Sequence, residues 1–144
     1  MTVTRELGDV TVLDFSLSAS SVWVLTSNKE IHELDPTSLE IKRSSTMPFE
    51  ATCCTLAPGT AEIWVGDKKS KLHVLSADTL EQTQEIDVPN VAIALLETSG
   101  DSSMVVACDK ARRAYVYSTS NKEQSHEHML HKDYIDGICF TDDN

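Results

Sequence analysis

Residues 22–40 read VWVLTSNKEIHELDPTSLE, and residues 63–81 read IWVGDKKSKLHVLSADTLE. Laid over one another at a spacing of 41, they need no gap across 19 positions. Trp23 falls on Trp64, Val24 on Val65, Ile31 on Leu72, His32 on His73, Leu34 on Leu75, Leu39 on Leu80 and Glu40 on Glu81. A third copy, VVACDKARRAYVYSTSNKE, begins at Val105. There Val65 meets Val106 at a spacing of 41, while Val74 meets Val116 at 42, which predicts one extra residue in the third connector. A fixed period of this size marks a repeat architecture, in which each unit is one supersecondary element stacked on its neighbours.

Working outward, each copy divides into four short extended runs. The second copy reads ATCCTLA, AEIWVGD, KLHVLSA and LEQTQEIDV. The third reads VAIALLE, SMVVACD, RAYVYST and KEQSHEHML. β-Branched and aromatic residues crowd the middle runs, and KLHVLS and AYVYS alternate as half-buried strands do. Turn residues (SASS, APGT, DPTS, SADT) separate the runs. Four strands per 40 to 45 residues predict an all-β fold of four-stranded antiparallel propeller blades. The first run of each blade is nearly uncharged and belongs innermost; the fourth is polar and fits a wetted outer edge. The predicted blades are 10–48, 51–88 and 91–130, with the start of a further blade at 134–144. About three and a half blades fall short of a ring of four to eight, so missing blades or self-association are expected to complete it.

The repeat resembles the WD-repeat propeller family in plan, although no Trp-Asp pair ends a third strand. The usual Gly-His before the inner strand stands only as Leu130-His131, and the turn after that strand reads Thr141 to Asn144. Three segments, PFEATCCTLAPGTAEIWVGDKKSKLHVLS, MVVACDKARRAYVYS and HMLHKDYIDGICFTDDN, are similar to the second propeller of the actin-interacting protein 1 family. That resemblance implies a cytoplasmic, cytoskeleton-associated protein that binds actin and promotes disassembly of cofilin-decorated filaments. It brings no contact residues with it. A scaffold subunit of another complex and a fragment of a propeller hydrolase are the alternatives.

The 144 residues carry 23 acidic and 12 basic side chains, a net charge of -11. Such a field repels phosphate, so neither nucleic acid nor an anionic membrane is an expected partner. No apolar run reaches membrane-spanning length, and the first ten residues lack the pattern of a secretory signal. The four cysteines, Cys53, Cys54, Cys108 and Cys139, lie in apolar runs without a C-x-x-C pair and are expected to be buried reduced thiols.

Against that acidity, one connector carries Lys68, Lys69 and Lys71, and its counterpart in the next copy carries Lys110, Arg112 and Arg113. Equivalent loops of neighbouring blades share a face, so the six residues are candidates for docking an acidic protein surface. The alternative is a pair of solvated turns. His126, His128 and His131 have the i, i+2 spacing that puts imidazoles on one strand face, yet no further ligand converges, and a polar outer strand accounts for them. His32, His73, Trp23 and Trp64 recur at equivalent positions and read as packing residues. No nucleophile elbow, phosphate loop or dinucleotide fingerprint is present, and neither an enzyme activity nor a cofactor or metal is expected.

Overall fold

A computed structural model describes Thr4 and residues 6–89, 91–129, 132–133 and 135–141. Among the described residues, twelve strands form three separate four-stranded sheets, each antiparallel and in chain order. The first blade is β1 (Val12–Leu17), β2 (Val22–Thr26), β3 (Glu30–Leu34) and β4 (Ile41–Thr46). The second is β5 (Ala51–Ala57), β6 (Glu62–Asp67), β7 (Lys71–Ser76) and β8 (Gln82–Asp87), with a single 3-10 turn at Pro58–Thr60. The third is β9 (Ile93–Thr98), β10 (Met104–Asp109), β11 (Arg113–Ser118) and β12 (Gln124–Met129). The second blade is buried along its inner three strands, while β8 and β12 are wet, as their polar sequences require.

Two apolar cores lie between the blades. Trp23, Leu25 and Ile31 meet Cys54, Leu56, Ile63, Val65 and Leu75 between the first and second. Trp64, Leu72 and Val74 meet Ile93, Val105, Ala107, Tyr115 and Tyr117 between the second and third. Adjacent strand residues point to opposite faces, so Cys53 joins one core and Cys54 the other. Inner strands are also tied across blades by polar side chains. Asp14 and Ser16 accept the amides of Cys54 and Leu56 at 2.9 and 3.0 Å, and Thr55 bonds Thr98 at 3.0 Å. Gly66 is where β6 comes closest to β9: a Cβ there would stand 2.7 Å from Ile93 and 2.9 Å from the Cys53 sulfur.

Two expectations need correction. The connectors Asp67–Lys71 and Asp109–Arg113 have equal length; register places the extra residue in the link 88–92, one longer than 47–50. The repeat had assigned it elsewhere because Val106 aligns with Val65 as readily as with Trp64. Cys139 is exposed, unlike the buried Cys53, Cys54 and Cys108, because it sits outside the sheets. Residues 135–141 carry no strand; Ile138, Cys139 and Phe140 share a cavity with Glu97, Val106, Ala114, Val116 and His128 of the third blade. Leu130, His131, Tyr134 and residues 142–144 lie outside the described residues.

Candidate protein-interaction face

The turns between the second and third strand of each blade form the end of the molecule that carries the six basic candidates. Each is hydrogen-bonded to the backbone leading into its own inner strand: Ser27 N–H to Thr11, Lys68 N–H to Glu50, and Lys110 N–H to Ala92. A buried side chain holds each turn closed. Asp67 accepts the amides of Lys69 and Lys71 through Oδ1 at 2.7 and 2.9 Å, and faces His73 Nε2 through Oδ2 at 3.1 Å. Asp109 does the same with Ala111 and Arg113 at 2.8 and 3.0 Å, and accepts the Tyr115 hydroxyl at 3.0 Å. Thr26 stands in for the aspartate in the first blade, with Oγ1 2.9 Å from the Glu30 carbonyl. Lys29, Ser70 and Arg112 occupy the same turn position with φ of 68°, 63° and 72°. A left-handed conformation costs a non-glycine residue energy, and the aspartate-amide bonds offset it. The connectors are therefore fixed platforms rather than loose loops.

Their charges go to different places. Lys71 pairs with Glu85 and, at 3.3 Å, with Asp87; its hydrogen bonds to both raise its pKa. Arg113 pairs with Glu127, and that hydrogen bond likewise favours its charged form. Arg112 donates to the Lys132 carbonyl. Lys68 pairs with Glu50 at 3.0 Å. Lys69 and Lys110 form no ion pair among the described residues. The structure thus turns Lys71 and Arg113 onto their own outer strands. It brings Lys68 and Lys110 to one cavity of about 360 Å³, whose border also includes Lys29, Glu50 and Leu13. Lys29 was not singled out in the sequence; its place in the aligned connector, opposite Ser70, was the available signal.

Basic side chains on the opposite end have a different task. Arg43 pairs with Glu33 at 2.6 Å, lies 5.7 Å over the Trp23 ring and donates to the Ala77 and Asp78 carbonyls of the next blade. Lys122 reaches back to Glu62 at 2.7 Å and lies 5.6 Å over Trp64. These inter-blade ties went unread because they join residues 34 or 60 positions apart.

The remaining candidates sort by burial. Trp23 and Trp64 are buried between blades. His73 stacks on Phe49 with ring centroids 3.5 Å apart, and His32 lies 2.7 Å from Ser44 Oγ through Nδ1. His126 and His128 stack 6.0 Å apart on one face of β12; His131 lies outside the described residues. Among the described residues no three His, Cys, Asp or Glu converge as metal ligands. Burial pushes the Cys53 and Cys108 thiols up to about 12 and about 11, so neither is a ready nucleophile.

No family model matches the chain. Target of rapamycin complex subunit LST8 of Bos taurus is 26% identical over 100 residues, covering 67% of this chain and 31% of that protein. A solved structure of U3-55K superposes with a TM-score of 0.78 at 11% identity, over 92% of this chain and 43% of that one. The RRP9 WD40 repeats give the same score and identity over 92% of this chain and 42% of that one. The three sheets are WD40-type propeller blades. The chain spans about a third of the curated relative and under half of each solved chain.

Proposed function

We propose that this WD40-type segment is a non-enzymatic protein-binding scaffold that meets an acidic partner through its basic turn end. The observation that carries the reading is the gathering of Lys29, Lys68 and Lys110, from three successive blades, around one cavity in a chain of net charge -11. Local positive charge on rigid turns steers and orients an acidic partner without adding to a general attraction for anions. On the likeness of three segments to the actin-interacting protein 1 family, the partner is actin, and the role is to promote disassembly of filaments carrying cofilin. Co-sedimentation with actin filaments, with and without cofilin, tests this. A larger unsedimented actin fraction in the presence of cofilin supports it; filaments unaffected under both conditions overturn the actin assignment.

A second reading has its own support. LST8 is by its name a subunit of a complex. The chain would then be a scaffold within a different assembly, and affinity capture that recovers a fixed set of partners without actin favours it.

A further inference from the structure

Resting on the protein-binding reading above, we propose that the cavity bordered by Lys29, Lys68 and Lys110 seats the carboxylate of an acidic side chain in an extended partner segment. An apolar neighbour of that side chain then lies against Leu13 and Ala94, the apolar lining residues that keep exposed surface.

Glu50 already shows what the site stabilises. Its carboxylate stands 3.0 Å from Lys68 Nζ at the cavity border. Its carboxyl is held below its ordinary value by the Lys68 hydrogen bond and charge, with smaller help from Lys29 and Lys69. Lys29 and Lys110 have no such acid of their own among the described residues. An incoming carboxylate therefore meets two ammonium groups that form no ion pair among the described residues, and competes with Glu50 for the third. The Thr52 hydroxyl in the wall is engaged with the Ile93 and Gly66 carbonyls at 2.6 and 3.1 Å, so recognition rests on charge and on the apolar lining. Three ammoniums less one carboxylate balance one or two carboxylates, and the apolar lining offers nothing to a compact phosphate. A peptide bearing alternating acidic and apolar side chains fits both features.

Fluorescence anisotropy on the intact chain tests this with a short labelled peptide alternating glutamate with leucine, set against one alternating lysine with leucine. The glutamate peptide binds, more weakly as salt rises, and the lysine peptide does not. Lys29→Gln with Lys110→Gln weakens binding by about tenfold, as loss of two charge contacts implies. Glu50→Gln strengthens it by about two- to fivefold, because the internal competitor is gone. Lys71→Gln and Arg113→Gln leave it unchanged, since their charges are spent on β8 and β12. All these positions lie in or beside solvated turns, and circular dichroism is the check that the variants keep the fold. Absence of salt-sensitive binding, weaker binding on Glu50→Gln, or equal losses at Lys71 and Arg113 overturns the proposal. So does competition by inorganic phosphate as strong as that of unlabelled peptide. Failure of actin co-sedimentation with intact peptide binding removes only the actin assignment; the converse result removes only this one.

Discussion

β1 and β5 are the same strand of the repeat, yet they live in different surroundings. In β5, Cys54 and Leu56 are 3% and 8% exposed; in β1, the register equivalents Phe15 and Leu17 are 59% and 63% exposed. The side chains are apolar in both. What differs is the neighbour: the second blade has one on each face, and no described residue of another blade covers the outer face of the first. A blade's own four strands satisfy its hydrogen bonds but leave its faces to be covered by the next blade. Burial here is a property of the stack.

The sharpest way to break that comparison is at Trp64, fully buried between the second and third blades. Trp64→Ala should cost about 3–5 kcal/mol by equilibrium urea unfolding, as truncation of a buried aromatic does. Trp64→Phe should cost far less, because the indole Nε1–H is buried without a described partner and its removal strands nothing. Next comes the equivalent pair itself. Leu56→Ala should cost about 2–3 kcal/mol, whereas Leu17→Ala, with its side chain mostly in water, should stay within about 0.5 kcal/mol. Equal losses at the two positions would erase the distinction.

The periodicity made the strands and their order legible, because apolar alternation and turn residues act locally. Trp23 and Trp64 announced the packing faces by recurring. The identity of the cavity residues was only half visible. Lys68 and Lys110 could be read from aligned connectors, but Lys71 and Arg113 were neutralised by Glu85 and Glu127, partners on the adjacent outer strands. Ion pairing between strands depends on register, which the repeat left uncertain by one residue.

Electrostatics separates the blades at lower cost. Burial disfavours the charge of Glu33, but the Ser21 hydroxyl and the Arg43 guanidinium outweigh it and hold the carboxyl below its ordinary value. A depressed carboxyl contributes stability above its unfolded pKa, near 4.5, and loses it as pH falls through the folded value. The stability gap between the protein and Glu33→Gln should therefore be widest near neutral pH and narrow as pH falls through the depressed folded value. Thermal melts across that range check it, and a gap that widens on acidification contradicts it. The smallest effect is expected at Ser70, whose φ of 63° glycine adopts freely. Ser70→Gly should raise stability by no more than about 1 kcal/mol, and less if the unfolded chain gains entropy.

Native-state hydrogen exchange read strand by strand puts the central claim to the most direct test. With blade burial set by neighbours, the amides of β5, β6 and β7 exchange slowest and those of β1 much faster, although both blades have complete ladders. Protection of β1 equal to that of β5 would contradict the account.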